Sequence, residues 1–129
     1  MLEKRKFYIN GKWVKPSKSN DFEVINPSNE EPFAIISLGF KEDTDAAVKA
    51  AKEAFVEWKE TSKEERINLL EKLLKIYNKR FNELAEAQSM EMGAPIDYAI
   101  SAQTASGQSH LEDFILRLKN FKFEEHFDS

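Results

Sequence analysis

Cysteine is absent from the 129-residue chain, which excludes a disulfide framework, a thiolate metal site and a cysteine nucleophile within these residues. Glycine is scarce. Gly11, Gly39, Gly93 and Gly107 are the four, too scattered to assemble a dinucleotide fingerprint or a phosphate loop. His110 and His126 are the only histidines; neither has a second histidine at helical metal-ligand spacing, and both read as partly exposed or tail residues. No apolar run approaches a membrane span, and Lys4-Arg5-Lys6 leads into a strand pattern rather than a signal-peptide core. The expected location is therefore cytoplasmic, with no membrane partner. The net charge of -4 comes from 23 acidic and 19 basic residues spread without a basic face, which gives no reason to expect nucleic acid.

What is present suits a folded domain. Hydrophobic residues at 41% and charged residues at 33% argue against disorder, and the length suits one domain without internal repeats. Phe7-Tyr8-Ile9, Asn10-Gly11 and Lys12-Trp13-Val14 predict a hairpin, because Asn-Gly tolerates the two positive φ angles of a type I′ turn. After a polar turn, Phe22, Val24 and Ile25 predict a short strand stopped by Asn26-Pro27. The run from Phe33 to Leu38 predicts another strand, apolar on both faces and ended by Gly39.

From Glu42 the period becomes helical, with Ala47, Val48, Ala51, Phe55 and Trp58 on one face and Glu42, Asp43 and Asp45 at the favourable end of the dipole. Ser62-Lys63-Glu64-Glu65 has the form of a capping box that starts a second helix. Its stripe runs through Ile67, Leu70, Leu74, Tyr77, Phe81, Leu84, Gln88 and Met92, with a break expected between Asn78 and Asn82. In Glu91-Met92-Gly93-Ala94-Pro95, Gly93 closes the helix in a left-handed conformation and Pro95 suits the start of the next. A further stripe follows through Ile96, Ile100, Gln103, Gly107, Leu111, Phe114 and Leu118, small and polar in its middle, as close helix packing requires. Alternating Phe and charge after Phe121 reads as a strand cut short or a frayed tail.

Few of these residues point to chemistry. Glu64-Glu65 and Glu124-Glu125 are neighbours only in sequence and read as solvated surface. Ser101, Thr104, Ser106 and Ser109 have no activating base in view and read as helix-packing residues. Trp13, Trp58 and the ten phenylalanines read as core or interface anchors. Glu91 is the anomaly, an acid one turn from a helix C-terminus, where the macrodipole opposes negative charge.

One ordered series of landmarks ties these pieces together. Phe7-Tyr8-Ile9-Asn10-Gly11-Lys12-Trp13-Val14, Phe22-Glu23-Val24-Ile25-Asn26-Pro27, the segment from Asp45 to Phe55, Trp58, Arg66 and Glu91-Met92-Gly93-Ala94-Pro95 together resemble the aldehyde dehydrogenase superfamily. The resemblance runs over nearly the whole chain, yet covers only about the first quarter of such an enzyme. It implies an α/β fold in which this segment supplies N-terminal β-hairpins and short strands followed by about four α-helices. Residues 1–39 would form a hairpin and strand region that contributes to oligomerisation, residues 40–120 the helical part of the cofactor-binding domain, and residues 121–129 a truncated tail.

The family's cysteine nucleophile, glutamate base, oxyanion-hole asparagine and cofactor glycines match no residue here, so no catalytic or cofactor-binding residue carries over. A monovalent cation site does, onto the backbone carbonyls of Val24 and Ile25 and the carboxylate of Glu91. Potassium or sodium is a hard cation and takes such oxygen ligands. The other reading of Glu91 is a solvated or salt-bridged acid. The family more often has aspartate at that position, and the longer Glu91 alters the reach.

The implied function is the N-terminal part of an NAD(P)-dependent aldehyde dehydrogenase. Its complete form would use NAD or NADP to oxidise an aldehyde to a carboxylic acid, as a homo-oligomer; this chain alone is expected to be inactive. Its partner would then be the remainder of the enzyme. A different class of function is a truncated, non-catalytic interaction module that joins a full-length relative through its hairpin.

Overall fold

The computed structural model describes residues 1–127 and shows two compact units, Met1–Glu60 with Met90–Gly93, and Thr61–Ser89 with the residues from Ala94 onward. The first unit contains β1 (Leu2–Lys4), β2 (Phe7–Ile9), β3 (Lys12–Val14), β4 (Asp21–Asn26), β5 (Glu31–Ser37) and α1 (Lys41–Trp58). β2 and β3 pair antiparallel as a separate two-stranded sheet, with Ile9 opposite Lys12. Asn10 at φ 51° and Gly11 at φ 71° make the expected turn.

The other sheet has the order β1-β5-β4. β5 is thus the central strand, which explains its apolar residues on both faces, with Ala34 and Ser37 buried. It starts at Glu31 rather than Phe33 and stops before Leu38, which is exposed. β1 was not anticipated. Its three residues are all exposed and too few to show a period, and they become a strand because the edge of β5 accepts them in parallel, Leu2 opposite Ala34.

The N-terminus of α1 is closed by Asp43. Its carboxylate accepts the Phe40 amide at 2.9 Å, the Ser17 amide at 2.7 Å and the Ser17 hydroxyl at 3.0 Å. One acid therefore satisfies an orphan helix donor and ties the Pro16–Asn20 turn to the helix. No residue of α1 is buried within this unit. Trp58 at 45% exposure and Trp13 at 66% are not buried.

The second unit contains α2 (Lys63–Lys79), most of α3 (Phe81–Met92), α4 (Ile96–Tyr98), a π-helical segment (Ala99–Thr104) and α5 (Ala105–Asn120). The capping box forms as expected: the Ser62 hydroxyl accepts the Glu65 amide at 3.1 Å, and the Glu65 carboxylate accepts the Ser62 amide at 2.7 Å. The break falls at Arg80, whose amide donates to the carbonyls of both Ile76 and Tyr77. α2 packs against α5, reinforced by Lys119–Glu71 at 2.7 Å and by Lys63 donating to the Lys119 and Phe121 carbonyls at the end of α5.

The π-helical segment corrects the last stripe. Its wider turn adds a residue to the repeat, so the fully buried positions step by five, from Ala99 to Thr104, before the ordinary rhythm resumes at Gly107, Leu111, Ile115 and Leu118. Ile96, Ile100 and Phe114, placed on the inner face by uniform counting, are exposed instead. Met92 is also exposed.

Tyr77 from α2 covers this segment. Its hydroxyl donates to the Thr104 carbonyl at 2.9 Å, while the Thr104 hydroxyl donates to the Gln88 side-chain oxygen at 2.9 Å. Gly107 lies under the Tyr77 ring, where a Cβ would come 3.0 Å from Cζ. Residues 121–127 form no strand; Phe121 and Phe123 meet edge to face at 5.0 Å, and Phe127 is exposed. The rest of the expected tail, Asp128 and Ser129, lies outside the described residues.

Candidate functional site

The three residues assigned to a cation site belong to the first unit. β4 carries a register irregularity between Val24 and Ile25, so the ladder to β5 is disturbed at the two carbonyls in question. The register partner of Ile25 is Pro32, which has no amide hydrogen to offer it. Beyond them the Asn26 carbonyl accepts the amides of Asn29 and Glu30, and the Asn26 side chain accepts the Ser28 amide, which turns the chain sharply at Pro27. Glu30 completes the turn at φ 60°.

Pro27 then meets the end of α3. Gly93 has φ 70°, and a Cβ there would lie 3.0 Å from the Pro27 Cβ, so only glycine combines this backbone shape with this approach. Glu91 is exposed and sits two residues before that contact. The strand end and the helix end are therefore neighbours through Pro27 and Gly93. No group of three or more His, Cys, Asp or Glu side chains suited to a metal occurs among the described residues, so an ion held here would depend on backbone oxygens as well as Glu91.

Two of the other candidate residues have structural occupations. The Ser101 hydroxyl donates to the Asp97 carbonyl at 2.6 Å, and Thr104 is buried in the contact with Gln88 described above. Ser106, Ser109, His110 and His126 are exposed, as are Glu64, Glu65, Glu124 and Glu125. A cleft of about 720 Å³ opens in the first unit beside Trp13 and Ser37. Its arginine, Arg5, is held by Asp21 at 3.0 Å and Glu3 at 3.0 Å, and the Asp21 hydrogen bond pushes the guanidinium pKa above its already high value.

Among the described residues, Asp43 and Glu65 are the carboxylates whose pKa is displaced, both downward. Asp43 is lowered chiefly by the Phe40 amide, with the Ser17 amide and hydroxyl adding to it; Glu65 is lowered chiefly by the Ser62 amide. Both serve helix ends, not a reaction. Sequence reasoning placed Asp43 only as a favourable first-turn acid; the spacing from Phe40 to Asp43 was the available signal for its capping role, while its bond to Ser17 left none.

Known proteins agree with this architecture. The family model described as "Aldehyde dehydrogenase family" matches residues 13–126. The 3-succinoylsemialdehyde-pyridine dehydrogenase of a Pseudomonas species is 40% identical over 97% of this chain and 26% of its own length. The crystal structure of an aldehyde dehydrogenase from Bartonella henselae superposes with a TM-score of 0.96 at 56% identity, over 97% of this chain and 26% of that one. A mutant of aldehyde dehydrogenase C from Pseudomonas syringae, in complex with NAD+ and octanal, superposes with a TM-score of 0.94 at 35% identity, over 96% of this chain and 26% of that one. The chain thus spans about a quarter of the length of the relatives it matches, corresponding to their N-terminal segment. A family-model match over residues 13–126 covers most of the chain, which therefore belongs to the aldehyde dehydrogenase family.

Proposed function

We propose that the chain serves as the N-terminal part of a cytoplasmic NAD(P)-dependent aldehyde dehydrogenase that oxidises an aldehyde to a carboxylic acid in its complete form. The observation that carries this reading is the superposition of 96% of the chain on a relative that holds NAD+ and octanal. In such an enzyme the nicotinamide, when bound, accepts the hydride. The residues described here would contribute framework: residues 1–39 an oligomerisation region and residues 40–120 the helical part of the cofactor-binding domain. With no cysteine among its 129 residues, the chain by itself lacks the nucleophile and is inactive.

Two measurements test this. The purified chain with NAD+ or NADP+ and a panel of aldehydes should form no reduced nicotinamide; enzyme-like turnover would refute the inactivity. Exchanging the matching segment of the Bartonella enzyme for this chain should preserve aldehyde oxidation, and a folded but inactive chimera would count against the family function.

The Val24 and Ile25 carbonyls with Glu91 are proposed to hold potassium or sodium as a structural ion. The disturbed ladder, the missing amide at Pro32 and the Pro27–Gly93 contact support it, and a cation would offset the unfavourable dipole at Glu91. Potassium should then raise thermal stability relative to tetramethylammonium at equal ionic strength, by about 2.7 kcal/mol at about 100 times the Kd. Glu91→Gln should remove that difference. Identical melting in both salts would make Glu91 a solvated acid.

The interaction-module reading draws on one observation, the exposed cross-strand pair Tyr8 and Trp13 with ring centroids 5.2 Å apart. Such aromatics suit an interface. Co-purification with a full-length relative, lost on Trp13→Ala, would favour it; a monomer with no dye-binding surface would exclude it.

A further inference from the structure

We infer that Asn10 is a site of covalent self-modification, a succinimide-forming asparagine whose side chain is attacked by the Gly11 nitrogen. In the hairpin the ladder pairs Phe7 with Val14, Tyr8 with Trp13 and Ile9 with Lys12, so the turn amide of Gly11 is not used by it. Both turn residues are exposed, and a Cβ built on Gly11 meets nothing within 4 Å, so neither a side chain of its own nor a neighbour shields the nitrogen. The folded turn holds Asn10 at φ 51°, and cyclisation requires it to leave that conformation.

The sheet topology makes this accessible. β2 and β3 form a sheet of two three-residue strands without a third, and a two-stranded ribbon is marginally stable by itself; the contact of β2 with α1 and of Phe7 with Gly39 holds the strand end away from the turn, not Asn10-Gly11. Its opening lies at the low end of local unfolding free energies.

The other asparagines are restrained. Asn26 precedes Pro27, which has no amide hydrogen to lose. Asn68, Asn78 and Asn82 lie in helices, whose fixed backbone keeps the side-chain carbon from the following nitrogen. The Asn120 amide donates to the Leu116 carbonyl, and the Asn29 side chain accepts the Glu31 amide. Asn20 is followed by Asp21, whose side chain crowds the attack.

The step balances with water alone. The Gly11 amide gives up its proton and its nitrogen bonds to the Asn10 side-chain carbon; the bond from that carbon to its NH2 group breaks, and ammonia leaves. Water then opens the ring at either carbonyl, giving aspartate or isoaspartate. Both products add a negative charge. Isoaspartate also adds a methylene to the main chain, so the two-residue turn no longer joins Ile9 to Lys12 in register and the Tyr8–Trp13 contact is lost.

The test is incubation of the purified chain above neutral pH, followed by tryptic mapping, since Lys6 and Lys12 release peptide 7–12. Asn10 should convert to a mixture rich in isoaspartate at least about tenfold faster than any other asparagine, a barrier difference of about 1.4 kcal/mol. Trp13 fluorescence should change in step with the conversion. Asn10→Gly, which keeps the positive φ and the turn, should leave peptide 7–12 unmodified and the fluorescence constant. An unreacted Asn10, or one no faster than Asn20 and Asn29, would overturn the inference; aspartate without isoaspartate would overturn the ring route.

Discussion

Replacing Gly107 with alanine tests whether Tyr77 is packed as described. In an ordinary helix position the change would stabilise by about 1 kcal/mol, because glycine is the poorer helix former. Here the new methyl meets the Tyr77 ring, 3.0 Å from Cζ and nearer still to the hydroxyl. Overpacking of this kind costs about 1–3 kcal/mol. Moving the ring also weakens the bond from Tyr77 to the Thr104 carbonyl, which contributes about 1 kcal/mol. The net expectation is a loss of about 1–3 kcal/mol, with each kcal/mol lowering Tm by roughly 3–6 °C for a chain of this size. Urea unfolding followed by far-UV circular dichroism reads it directly. Tyr77→Phe alone should cost about 1 kcal/mol by removing the donor. The same substitution also removes the atom nearest the new methyl, so Gly107→Ala should cost less in that background. Refutation is simple: a stabilised Gly107→Ala variant, or strictly additive losses, would mean that Tyr77 does not occupy the space over Gly107.

Gly93→Ala should lose about 1–2 kcal/mol from its left-handed backbone alone, plus the contact with the Pro27 Cβ; in thermal melts a Pro27→Gly background, which removes that atom, should recover the second part and leave the first. Ser62→Ala should cost about 1 kcal/mol through loss of the helix cap, and carboxyl NMR should show the Glu65 pKa moving back toward its ordinary 4.5. Asp43 and Glu65 have depressed pKa values in the folded state, so the unfolded chain binds their protons first on acidification. Their contribution to stability is full above the ordinary values of 3.8 and 4.5 and disappears as pH falls through the lower folded values. Asp43→Asn should flatten that part of the stability profile, measured as urea unfolding against pH.

Much of the secondary structure was legible because its signals are local. Asn10-Gly11, the Ser62 capping box, the break near Arg80 and the stop at Gly93 each rest on a few neighbouring residues whose backbone preferences agree. The candidate site was half legible in the same way. Gly93 and Glu91 stand out from the sequence, but nothing near them says that Pro27 is the neighbour that requires a glycine.

The sequence by itself determined where turns and helices begin and end, and, through its ordered landmarks, the family. Absence of cysteine likewise settled that no thiol chemistry resides in these residues. Only the tertiary structure decided that Leu2–Lys4 is a strand, that Asp43 reaches Ser17, and that Ile115 rather than Phe114 faces inward. The physical reason is common to all three. A strand edge, a side-chain acceptor and a π-helical turn each depend on groups brought together from distant parts of the chain, and uniform periodicity has no means of registering them.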